Sequence, residues 1–104
     1  MRGKISNIVL ANLKDFNETF EKDIPIELGE SIPLFGKDGV LDSLGLVSLI
    51  VMIEQSIEDE LDISIILADE KAMSQKSSPF LTSGTLIEYI LTILDKESQL
   101  WISQ

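Results

Sequence analysis

Apolar residues recur with a helical period in three stretches of the chain. In the first, Ile5, Ile8, Val9, Leu13, Phe16 and Phe20 advance by threes and fours, while Asp15, Glu18 and Glu21 fall off that stripe. Spacing of this kind gathers the apolar set on one face and predicts a helix over about 6–20. The second covers about 43–61, with Val47, Ile50, Ile53, Ile57 and Leu61 as its core stripe. Asp42 and Ser43 are both good N-caps for it, because their side-chain oxygens can accept from the first free N–H groups. The third covers about 84–97, carried by Leu86, Ile87, Ile90, Leu91, Ile93 and Leu94. Thr85 and Glu88 have the spacing of a capping box at its start.

The segments between them read differently. Over 23–42, Pro25, Gly29, Pro33, Gly36 and Gly39 oppose a continuous helix. A connection of that length inside a small domain is usually functional or disordered. Its apolar residues, Ile26, Leu28, Ile32, Leu34, Phe35, Val40 and Leu41, argue for an ordered crossover packed on the core. Ile63, Ile65, Ile66 and Leu67 could form a strand, but a lone strand has nothing to pair with, so an extended linker is expected. A short helix over about 68–74 follows, with Asp69 and Glu70 in its first turn, and 98–104 is expected to be a tail carrying Trp101. The predicted fold is therefore all-α and a single domain over 1–104. It has three long helices, one short helix and a long ordered loop between the first two.

Composition narrows the chemistry. A chain of 104 residues that is 44% hydrophobic can bury one core without covalent staples. Cysteine and histidine are both absent. That removes disulfides, the common serine–histidine and cysteine–histidine nucleophile systems, and the ordinary zinc ligand sets. Asp38-Gly39 lacks the alternating acids of a calcium-binding helix–loop–helix site. Eighteen acidic residues against eight basic ones give a net charge of −10, a field that repels nucleic acid and anionic membrane surfaces. Simple solubility would account for the same charge. Arg2 and Lys4 could open a signal peptide, but Asn12 interrupts the apolar stretch from Ile8 to Leu13. The most apolar run, Leu44 to Ile53, is about half of what a bilayer span needs. The expectation is a cytoplasmic protein with no membrane insertion, no nucleic-acid partner, no resident metal and no catalytic residues.

The informative stretch is Leu34-Phe35-Gly36-Lys37-Asp38-Gly39-Val40-Leu41-Asp42-Ser43-Leu44. A glycine-rich loop delivers an Asp-Ser pair to the mouth of an amphipathic helix. A serine there would sit beside free N–H groups at the positive end of the helix dipole, which suits a phosphoester. An acidic neighbour could help hold Mg²⁺ while a phosphoryl group is delivered. Ordinary helix capping accounts for the same tripeptide.

Asp42-Ser43-Leu44 followed by Gly45-Leu46-Val47-Ser48-Leu49-Ile50 resembles the phosphopantetheine attachment motif of the acyl carrier protein family. The resemblance runs from about Ile5 to Leu94. It takes in the long first loop, Leu61-Asp62-Ile63-Ser64-Ile65, the short third helix, and Thr82, Leu86 and Tyr89-Ile90 in the last helix. It implies an acyl-carrier-like bundle in which Ser43 bears a covalent 4′-phosphopantetheine arm beside Asp42 and Leu44. A phosphopantetheinyl transferase would attach the arm from coenzyme A with Mg²⁺, and the arm's thiol would carry an acyl group as a thioester. The reactive sulfur would thus arrive on the cofactor in a chain without cysteine. Val47, Ile50, Ile53, Ile65 and Ile90 become candidate linings for the acyl chain. Leu44, Val51, Glu54, Glu58 and Asp59 become candidate contacts for partner enzymes.

Two departures from the family pattern stand out. Gly45 and Ser48 occupy positions where carriers of fatty acid synthesis tend to place acids, and Glu54 to Leu61 extends the second helix by about one turn. These features resemble a stand-alone bacterial carrier outside core fatty acid synthesis. Its partners would be an adenylate-forming ligase or acyltransferase and synthase enzymes, and the chain would act as a monomer. An aminoacyl or peptidyl carrier has the same fold and motif. An unmodified acidic helical adaptor is the alternative from another class.

Overall fold

In the computed structural model the residues described are 2–36, 39–67 and 79–102, with 96–102 described as backbone only. Helix α1 spans Arg2–Phe20, α2 spans Ser43–Leu61 and α3 spans Ser83–Ile102; a 3-10 segment, Ile26–Ser31, lies between α1 and α2. Among the described residues there are no strands, only an isolated antiparallel bridge between Pro33 and Thr82. The chain is mostly helical and compact, with a radius of gyration of 13.4 Å, close to the roughly 13 Å usual for a domain of this size. The predicted short helix over 68–74 lies outside the described residues.

Helix α1 is the hub: α2, α3 and the 3-10 segment all pack against it. Its stripe of Ile5, Ile8, Val9, Leu13 and Phe16 is buried, as the period of 3.6 requires. The helix begins at Arg2 rather than near residue 6, and Arg2 is held there by ion pairs to Glu30 and Glu88. Phe20, expected in the stripe, is 45% exposed, because the helix ends there and no described residue covers its outer edge. Termination uses a left-handed residue. Glu21 has φ 53°, which lets Lys22 N–H reach back to the Asn17 carbonyl at 3.0 Å. Asn17 then clasps Ile24 through both its backbone N–H and its carbonyl.

The face that α2 turns to the core differs from the expected one. Leu46, Leu49, Ile50, Ile53 and Ile57 face the core, whereas Val47, assigned to the core from sequence, is 38% exposed. The run from Leu44 to Ile53 is apolar nearly all round, so periodicity alone leaves its rotation about the axis open. Asn12, buried on α1, donates to Ser56 on α2 at 3.0 Å and to its own turn at Ile8. At the far end, Asp62 adopts φ 56° and its N–H returns to the Glu58 carbonyl at 3.0 Å, a left-handed stop.

The crossover is ordered by partners fifty residues away in sequence. Leu34 N–H donates to the Leu81 carbonyl at 2.8 Å and Ser83 N–H to the Ile32 carbonyl at 2.9 Å. The buried Ser83 hydroxyl donates to Gly29 and accepts from Ile32. Gly84 is needed beside this lock, since a Cβ would stand 2.7 Å from the Glu30 carbonyl oxygen. Ile32, Leu34 and Leu41 reach the core, while Leu28 and Val40 remain exposed.

Helix α3 departs from expectation at both ends. Its capping box is Thr82 with Thr85, each hydroxyl accepting the other's N–H at 3.1 and 3.0 Å, and not Thr85 with Glu88. The helix also continues to Ile102, so Trp101 belongs to its last turn rather than to a tail.

Candidate functional site

The loop returns on itself just ahead of α2. Val40 N–H donates to Pro33 at 3.1 Å and Leu41 N–H to Leu34 at 2.9 Å, which seats Leu41 in the core and sets the direction of the next residues. Asp42 is extended, and its Oδ1 accepts from Gly45 N–H at 2.7 Å. Asp42 is therefore the N-cap, and Ser43 is the first helical residue, exposed to solvent. The first intrahelical bond of α2 runs from Leu46 N–H to the Asp42 carbonyl. The N–H groups of Ser43 and Leu44 precede it and find no acceptor among the described residues. Two free donors, the helix dipole and an exposed hydroxyl converge on one spot, where a phosphoester would be well received.

The remaining candidates fall into three groups. Leu44 (77% exposed) and Val51 (54%) lie with Val47 at intervals of three and four, forming an apolar stripe on the solvent face of α2. Glu58 and Asp59 are exposed near the helix end, Asp59 accepting weakly from Gln55 at 3.4 Å. Glu54 is different: half-buried, it accepts the Leu67 N–H and so anchors the segment leaving α2. One of its two carboxylate oxygens is thereby engaged within the fold. Of the residues suggested to line an acyl chain, Ile50, Ile53, Ile65 and Ile90 are buried core and Val47 faces outward.

A cavity of about 440 Å³ lies elsewhere, between the end of α1 and the start of α2. Phe16, Phe20, Val40, Leu41 and Leu44 supply its apolar lining. Gly45, Ser48, Asp42 and Lys22 complete it. Comparison with protein-family models, curated proteins and solved structures gives no significant match.

Sequence reasoning missed this groove because its walls come from separate elements joined by the crossover. The one trace of it in the sequence is the pair Gly45 and Ser48, small residues three apart on an otherwise bulky helix face. Among the described residues, no helix is long and apolar enough to cross a membrane. No group of three or more potential ligands there could hold a metal ion.

Proposed function

We propose that the chain is a carrier protein of the acyl carrier type, bearing a 4′-phosphopantetheine arm on Ser43. The observation that carries this reading is the division of labour at the α2 start: Asp42 supplies the cap, leaving the Ser43 hydroxyl exposed and uncommitted. A serine that only capped the helix would be turned back onto the backbone. The arm, when attached, supplies the thiol on which an acyl group is held as a thioester.

The chain's own residues do the rest. The free N–H groups of Ser43 and Leu44 and the positive end of α2 stabilise the negative phosphodiester. Asp42, with one oxygen on Gly45 N–H, keeps its other oxygen for the Mg²⁺ that a transferase brings with coenzyme A. Leu44, Val47 and Val51 offer an apolar strip to an adenylate-forming ligase, acyltransferase or synthase. The exposed acids Glu58 and Asp59 set the orientation of such a partner.

Incubation with coenzyme A, Mg²⁺ and a broad-specificity phosphopantetheinyl transferase, followed by intact-mass analysis, tests the reading. The native chain should gain one arm and Ser43→Ala none. A native chain that gains no mass points to the unmodified acidic adaptor instead, for which the same exposed strip and acids on α2 would be the binding face. Loading of the armed protein with fatty acyl or aminoacyl groups then separates an acyl carrier from an aminoacyl or peptidyl carrier.

A further inference from the structure

We infer that Lys22 is a positioning residue for the arm: its ammonium holds the phosphodiester on Ser43 and so fixes the direction in which the arm leaves α2. This rests on the carrier reading of Ser43. Lys22 stands in the wall of the groove between the end of α1 and the start of α2. The same wall includes Asp42 and Leu44, the two chain neighbours of Ser43. Among the described residues Lys22 is the one cation in that lining.

The local fold delivers Lys22 to this place. Glu21 turns left-handed at φ 53°, and Lys22 N–H returns to the Asn17 carbonyl at 3.0 Å. The Asn17 side chain holds Ile24 two residues further on, accepting its N–H at 2.8 Å and donating to its carbonyl at 3.0 Å. The Lys22 backbone is thus fixed from both sides. Its exposed ammonium makes no ion pair or hydrogen bond with any described residue. Arg2, by contrast, is engaged by Glu30 and Glu88 at the opposite end of α1. Lys4 and Lys14 lie on α1 outside the groove lining.

Attachment of the arm creates the need for such a charge. A phosphodiester on Ser43 puts a permanent anion beside the Asp42 carboxylate, in a chain whose net charge is already −10. Like charges that close together repel, and a nearby cation offsets the cost. Asp42 turns its Oδ1 onto the Gly45 N–H at 2.7 Å and leaves Lys22 without a partner. A lysine is a compact point charge on a flexible four-carbon stem, suited to meeting a single phosphate oxygen. The free N–H groups of Ser43 and Leu44 take the phosphate from the helix side and Lys22 takes it from the α1 side. The root of the arm then lies toward α1, and Val47 and Val51 stay clear for a partner.

The test is phosphorus NMR on the full chain, armed from coenzyme A by the transferase and verified by mass. It compares the native protein with Lys22→Gln, Lys22→Arg and Lys14→Gln. Removing the charge at Lys22 should shift the phosphodiester resonance toward its position in the same armed chain unfolded in urea. Lys22→Arg should keep the native position, and Lys14→Gln should not move it. The Debye length falls from roughly 30 Å at about 0.01 M salt to roughly 3 Å at about 1 M, so the difference between native and Lys22→Gln should shrink across that range. An unshifted resonance in Lys22→Gln at the lowest salt would overturn the inference and leave the carrier reading intact. So would an equal shift in Lys22→Arg, which would make the effect one of shape rather than charge. Absence of any mass gain in the native chain overturns both. Should Lys22→Gln fail to fold, the salt response of the native resonance decides alone, a flat response overturning the inference.

Discussion

The carboxylate of Asp42 receives the Gly45 N–H at 2.7 Å, so the capping energy at this helix end belongs to Asp42 and Ser43 has no share in it. Replacing an aspartate cap by alanine usually costs about 1 kcal/mol, whereas an exposed first-turn serine with no bond to lose falls within about 0.5 kcal/mol. Chemical denaturation followed by circular dichroism should therefore show Asp42→Ala clearly destabilised and Ser43→Ala near native. The reverse order would show that the serine hydroxyl is capping in solution. Both residues were legible as a helix start, since Asp and Ser are equally suited to the cap. Which of them took it depends on the extended backbone at Asp42, fixed by the Leu41–Leu34 and Val40–Pro33 hydrogen bonds of the loop. Sequence alone does not carry that information.

At the scale of elements, α3 starts on a reciprocal pair: Thr82 and Thr85 exchange side-chain and backbone hydrogen bonds. The Thr85 hydroxyl also donates to a carbonyl of the entering turn. Thr82→Ala should lower stability by about 1 kcal/mol, measured by urea titration, and Glu88→Ala should not, apart from its long contact with Arg2 at 3.8 Å. An equal loss from both would restore Glu88 as the capping partner. The helices themselves were readable from periodicity because α1 alternates apolar and polar faces cleanly. The rotation of α2 was not, since Leu44, Val47 and Val51 are as apolar as the buried Leu46, Leu49 and Ile50. What fixes that rotation is tertiary: Asn12 on α1 meets Ser56 on α2, and a hydrogen-bonded pair tolerates no turn of either helix.

Across the whole molecule, negative charge is displaced from the serine. Glu58, Asp59 and Glu60 lie, at 1.5 Å per residue, roughly 22–26 Å along α2 from Ser43. If the chain is the carrier proposed above, reversing the charge of all three should slow loading by an adenylate-forming ligase at low salt and leave attachment of the arm unchanged, because charge complementarity acts mainly on encounter. Equal loading rates for the two proteins would reduce these acids to a solvated helix end. The groove beside Ser43 had almost no sequence signature for the same global reason: Phe16, Val40 and Gly45 meet only after the crossover has folded. That crossover is stitched to the entrance of α3 across 51 residues, through Ile32 and Ser83. Contacts so distant along the chain form late, after closure of a long loop. The amides of Leu34 and Ser83 should accordingly exchange with deuterium only through complete unfolding, at the slowest rates in the protein. On the proposed carrier reading, a chain still being synthesised, and not yet past Leu81, would have Ser43 but no platform to present it. A fragment ending at residue 80 is expected to stay unmodified under conditions that arm the full chain. The order of events would then be built into the topology: folding is completed first, and the serine becomes a substrate only afterwards.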